Sequence, residues 1–128
     1  MKKSEVGKLG EDEAVRFLKK KGYDIIARNW RHKFGEIDII ALDRETVVFV
    51  EVRTKMTGDF GTPEESVTKT KMRQIVKAAS NYIREKRLQG ESIRFDFIGV
   101  IADKNAGKPN INHIENAFLP SDVFSRTL

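Results

Sequence analysis

Apolar positions Val6, Leu9, Gly10, Ala14, Phe17 and Leu18 recur at helical spacing, and Lys19-Lys20-Lys21 followed by Gly22 supplies a basic helix end with its terminator. The spacing predicts a helix over 4–21 and a strand over 23–30. Next, Gly35 to Ala41 and Val47 to Lys55 alternate or run apolar, rich in β-branched and aromatic residues, around the polar break Asp43-Arg44-Glu45. That pattern predicts a β-hairpin. Residues 55–61 carry two glycines and predict a mobile loop, and Thr62-Pro63-Glu64-Glu65 has the form of a capping box with proline at the first helical position. A second helix is predicted over 69–87 with Met72, Ile75, Val76, Ala79, Tyr82 and Ile83 as its apolar face, broken at Gly90. A strand over 93–102, a polar turn over 103–110 and an edge strand over 111–117 complete the pattern. Three consecutive strands favour antiparallel pairing, whereas a strand-helix-strand step favours a parallel crossover. The expected fold is therefore α/β: a mixed central sheet flanked by helices with an αβββαβ core. One domain over 1–118 and a C-terminal tail over 119–128 are expected.

Composition narrows the class. The chain has 128 residues, 39% of them hydrophobic, enough for one sizeable core, and no cysteine, which excludes disulfides and thiolate metal sites. The charged N-terminus does not resemble a secretory leader, and the longest strongly apolar run, Val47 to Val50, is too short to span a bilayer. A cytoplasmic protein without membrane association is expected. Lys and Arg number 24 against 19 Asp and Glu, a net charge of +5. That balance suits phosphate handling, and equally suits a solubilised surface.

The candidate chemistry lies in the hairpin. If Arg44-Glu45 is a two-residue turn, Asp38 faces Glu51 and Glu36 faces Arg53, all on one side of the sheet. Facing carboxylates repel, and a divalent cation removes the penalty. A three-residue loop would instead put Asp38 and Glu51 on opposite faces. Mg²⁺ or Mn²⁺ takes hard oxygen ligands, so Asp38 and Glu51 are candidate metal ligands for phosphodiester hydrolysis; solvated or arginine-paired carboxylates are the alternative. Arg53 and Lys55 continue the same face and are candidates for stabilising phosphate charge, although arginine stays protonated and cannot act as a base. For Glu36 a cross-strand ion pair with Arg53 is expected.

On the first helix, Gly7 and Gly10 each cost about 1 kcal/mol relative to alanine, implying close backbone approach there. On the second helix, Lys69, Arg73, Lys77 and Arg84, beside Lys71, form a basic stripe suited to phosphate contacts or simply to water. Gln74 on the same helix is a further candidate for the site. Trp30 is expected in the core, while Phe34 and Phe60 in loops are candidates for stacking on unpaired bases. His32 and His113 lack zinc-ligand spacing, and Gly58-Asp59-Phe60-Gly61 is not a phosphate loop.

Ile37-Asp38 and Glu51-Val52-Arg53 resemble the PD-(D/E)XK nuclease signature. Gly7-x-x-Gly10-Glu11, Ala27-Arg28-Asn29-Trp30, Gly35-Glu36-Ile37-Asp38, Phe49-Val50-Glu51-Val52, Phe60-Gly61-Thr62-Pro63-Glu64, Arg94-Phe95-Asp96 and His113 to Phe118 are similar to motifs of the YraN-type family of predicted endonucleases. That family is distantly similar to Holliday junction resolvases. The resemblance spans nearly the whole chain. It implies a restriction-endonuclease-like fold and a Mg²⁺- or Mn²⁺-dependent endonuclease acting on DNA rather than RNA, with branched or damaged DNA as candidate substrates. It also implies Glu11 as a third acidic metal residue; whether the chain forms a homodimer, which a junction-cutting enzyme would need to nick two strands symmetrically, stays open. One departure stands out: Arg53 occupies the position usually held by lysine. A lysine migrated to Lys55, an arginine kept for charge, and a catalytically inactive nucleic-acid-binding or protein-interaction module all remain compatible.

Overall fold

The computed structural model describes residues 2–59, 61–103 and 107–124; Phe60, a stacking candidate, lies outside them. The elements are α1 (Lys3–Lys20), β1 (Asp24–His32), β2 (Gly35–Asp43), β3 (Thr46–Met56), a single 3₁₀ turn (Glu64–Ser66), α2 (Lys69–Glu85), β4 (Ser92–Ala102), β5 (Asn110–Ile114) and α3 (Pro120–Val123). The strands form one sheet in the order β1-β2-β3-β4-β5. β3 and β4 are parallel, joined through α2, and the other neighbours are antiparallel. The mixed sheet and the αβββαβ order are as the hydrophobic pattern predicts, and β5 is the expected edge strand.

Each helix covers one face. Ala14, Val15 and Leu18 of α1 pack on Ile39, Ala41, Val48, Val50, Val52, Ile98 and Val100. Ile75, Val76, Ala79 and Tyr82 of α2 pack on Ile37, Ile40, Val47, Phe49 and Phe95. Lying between both layers, β3 is buried from Val47 to Val52, which is why it runs apolar rather than alternating. Phe49 is fully buried, 5.6 Å from the Phe95 ring and 5.9 Å from Tyr82. A ring so placed contributes about 3–5 kcal/mol relative to alanine.

Several details differ from the pattern. The reciprocal capping box does form, with the Glu65 amide donating to Thr62 Oγ1 and the Thr62 amide to Glu65 Oε2, but it closes only the 3₁₀ turn. Thr68 caps α2 by accepting from the Lys71 amide, because Val67 returns to extended backbone between the two turns. β3 continues through residue 56, so the expected loop is shorter. The chain beyond 118 is not merely a tail: Val123 of α3 is buried in the cluster under α2 that also holds Phe118. Gly7 has nothing within 4 Å of a notional Cβ, so close approach holds for Gly10 alone, where a Cβ would sit 1.7 Å from Thr54 Oγ1.

Candidate metal centre

The β2–β3 hairpin turns at Arg44-Glu45, with Arg44 at φ 57° and Asp43 paired with Thr46. The two-residue register therefore holds as far as Ile39 opposite Val50. There the ladder ends. Asp38 Oδ2 accepts from the Val52 amide at 2.8 Å, so a side chain takes the donor that the next strand pair would use. Ile37 and Ile40 both pack under α2 while Ile39 and Ala41 pack under α1, so strict alternation breaks at Asp38. Beyond Ile39 the two strands part, with Asp38 on β2 and the buried Glu51 on β3 at the fork.

α1 closes the third side. Its contact with β3 at Gly10–Thr54 is possible only without a Cβ, and it brings Glu11 beside Asp38. The Arg28 guanidinium fastens the helix to β1 through Asp12 at 2.7 Å. One carboxylate oxygen from each of Glu11, Glu36 and Asp38 lies within 4.8 Å of the others, a spacing that a cation could bridge. A cleft of about 580 Å³ opens over Glu11 and Glu36, walled by Gly7, Arg28, Asn29 and Arg31.

The electrostatics follow from burial. Glu51 is 3% exposed, and its Oε1 has no hydrogen-bond partner. Its Oε2 meets Arg53 at 3.1 Å and Lys71 at 4.0 Å. Burial, then the charge of Glu51 and a hydrogen bond shared with it, push the Asp38 carboxyl up to about 8; the Val52 amide and Lys71 oppose them only partly. Burial and the charge of Asp38 also raise Glu11 above the ordinary carboxylate range, against a hydrogen bond from Asn29. With nothing bridging it to its neighbours, the Asp38 carboxyl holds a proton at neutral pH. A set of hard carboxylate oxygens, one buried and unpartnered, fits Mg²⁺ or Mn²⁺.

The expected Glu36–Arg53 pair does not form. Once β2 and β3 part, Glu36 turns to Arg31 at 3.4 Å and joins the acidic cluster, while Arg53 turns back on Glu51. The Lys55 ammonium lies beside Gly61, 3.5 Å from where a Cβ there would be. The Gln74 Cβ lies 3.5 Å from where a Cβ on Gly35 would be, beside the β1–β2 turn.

The basic stripe of α2 divides. Lys71 reaches the acidic pair, Arg73 Nε donates to the Val123 carbonyl at 2.6 Å, Lys77 lies over the Phe34 ring, and Arg84 binds Asn81, while Lys69 is exposed. Sequence reasoning missed two participants, Glu36 in the cluster and Lys71 at Glu51. Pro63 and Glu64, visible in the sequence only as part of a capping box and a family motif, pack over Gly99, the strand neighbour of Arg53.

This mixed sheet between two helices, with acidic residues converging where its third strand parts from the second, defines a restriction-endonuclease-like domain. Residues 10–100 match the model of the family described as Uncharacterised protein family UPF0102. A UPF0102 protein of Persephonella marina is 47% identical over 112 residues, covering 88% of this chain and 91% of the relative. One from Sulfurihydrogenibium is 46% identical over 118 residues, covering 92% and 97%. The chain belongs to the UPF0102 family, the YraN-type group of the PD-(D/E)XK superfamily. Among the described residues, no helix is long and apolar enough to cross a membrane.

Proposed function

We propose that this protein is a divalent-metal-dependent endonuclease that hydrolyses DNA phosphodiester bonds. The observation that carries the proposal is the buried Glu51 carboxylate with an unpartnered Oε1, facing an Asp38 pushed up to about 8. Asp38, Glu51 and Glu11 would hold Mg²⁺ or Mn²⁺, with Glu36 at the open side. Bound there, the metal supplies charge neutralisation and water activation for phosphodiester hydrolysis.

The chain's own residues set the conditions. Asp38 must give up its proton before it can act as a full ligand, so activity rises with pH across the range below about 8. Arg53 and Lys71, now engaged with Glu51, are two cations available, beside Lys55, to a phosphate entering the cleft. Lys71 therefore supplies from α2 the ammonium that the usual lysine would supply from β3.

A second reading has its own support: the 3.1 Å Arg53–Glu51 pair is an internal counter-ion, as expected of a nucleic-acid-binding module that has lost turnover. The deciding experiment is cleavage of labelled linear, single-stranded, flap and four-way-junction DNA in Mg²⁺ or Mn²⁺, with Glu51→Gln prepared in parallel. Cutting that disappears in the variant and in EDTA supports the nuclease. Equal cutting by both proteins, or none with binding retained, assigns the binding module.

A further inference from the structure

A second cleft lies around the β1–β2 turn, away from the carboxylates. Trp30, His32 and Phe34, alternate residues leading into that turn, line up ring to ring. Trp30 and His32 stack at 5.6 Å and 9°, and His32 and Phe34 follow at 5.7 Å and 31°. Tyr82 of α2 anchors the inner end, edge-on to Trp30 at 5.4 Å. The outer end is open, with Phe34 38% exposed. Phe124, 37% exposed, lines the same cleft, and these are the only exposed aromatic rings among the large hydrophobics of the described residues.

The cleft measures about 410 Å³, a size ordinary for a small-molecule subsite. Its lining carries Lys33, Lys77 and Arg84 and no carboxylate. The Lys33 and Lys77 ammonium groups sit 5.1 and 5.6 Å from the Phe34 centroid. Such exposed cation–π contacts are weak, so both lysines can leave the ring for a phosphate when a flat ring arrives.

We infer that Phe34, the open end of the Trp30–His32–Phe34 stack, is a platform for an unpaired base of a single-stranded nucleic acid, whose phosphates Lys33, Lys77 and Arg84 receive. A duplex hides its base faces and cannot use the stack; a single strand or a splayed end can. Phe34 is two residues from Glu36, but its cleft shares no lining residue with the acidic one. The inference rests on the nucleic-acid reading of that cleft but requires no hydrolysis.

The test is anisotropy of fluorescein-labelled oligo(dT), oligo(U) and a blunt DNA duplex binding to the full chain in EDTA, where no metal-dependent cutting occurs. Phe34→Ala is expected to weaken single-strand binding by about tenfold and duplex binding by less than about twofold. Phe34→Tyr, which keeps the ring, is expected to restore single-strand binding. Loss with oligo(dT) alone or with oligo(U) as well supports the platform and identifies its strand. An equal loss on duplex, no loss on any strand, or no recovery in Phe34→Tyr overturns it. A parent protein that cuts duplex DNA while Phe34→Ala changes no affinity overturns the platform and leaves the nuclease standing. A parent protein that never cuts but shows the Phe34 effect does the reverse.

Discussion

The two buried acidic residues of this sheet, Asp96 and Glu51, occupy contrasting surroundings. Burial alone would raise the Asp96 carboxyl. Yet hydrogen bonds from His113, Arg94 and the Asn116 amide, together with the Arg94 charge, hold it below the usual range. Arg94 grips Asp96 with two nitrogens at 2.8 and 2.9 Å and reaches Asp43 and the Tyr23 hydroxyl as well. His113 Nε2 lies 2.8 Å from Asp96, with Lys21 at 2.9 Å from its other ring nitrogen. Every acceptor position there has a donor. Around Glu51 an oxygen is left over, a second carboxyl crowds in, and the Nε of Arg53, whose Nη2 meets Glu51, is itself unpaired. A satisfied buried charge holds a structure together; an unsatisfied one marks a place where something else is expected to bind.

The largest effect separates these roles directly. Arg94→Met leaves Asp96 buried and uncompensated and is expected to lower stability by about 3–5 kcal/mol, read from urea unfolding. Glu51→Gln is expected to do the opposite in metal-free protein, raising stability by about 1–3 kcal/mol through loss of the repulsion with Asp38, while cutting nuclease activity at least ~100-fold. If both variants lose stability alike, the contrast fails.

Acidity provides the next test, because the two sites respond with opposite sign. Asp38 is raised, so the folded state holds a proton that the unfolded chain releases near pH 4. Its contribution is fully present at low pH and declines as pH rises toward about 8. Asp96 is lowered, so its contribution is present above the unfolded value and is lost as pH falls through the folded one. Thermal midpoints of metal-free Asp38→Asn are therefore expected to exceed those of the parent by several degrees at pH 8 and by little at pH 5. Equal differences at both pH values would contradict the Asp38 assignment.

The smallest effect concerns how α1 meets each region. Gly10→Ala, driven into Thr54, is expected to cost about 1–3 kcal/mol and to displace Glu11. Gly7→Ala meets open space and is expected to stabilise the helix by up to about 1 kcal/mol. Calorimetric unfolding of the pair checks both signs.

Much of this architecture was legible in the chain. The period change from helix to strand located α1, α2 and the hairpin, and the polar break at Arg44-Glu45 between two apolar runs marked the turn whose register holds up to Ile39. What alternation could not reveal was its own interruption. Asp38 takes the Val52 amide with its side chain, and that single exchange opens the cleft, frees Glu36 from Arg53 and recruits it to the acidic cluster. Helical spacing grouped Lys71 with the surface stripe, since a stripe says which residues share a face and not which one leans over a neighbouring strand. The Asp96 network joins α1's end, β1, β2, β4 and β5, so its partners are too far apart in sequence to announce one another. Of these, only the Arg94-Phe95-Asp96 and His113 to Phe118 motifs were visible, as a family likeness without a reason.

The most direct test of the metal centre is a calorimetric titration of the parent protein with Mn²⁺ at pH 7, in two buffers of different ionisation enthalpy. The account predicts saturable binding that releases about one proton per site, from Asp38, and that is abolished in Glu51→Gln. Binding without proton release, binding unchanged in the variant, or no saturable binding at all would contradict it.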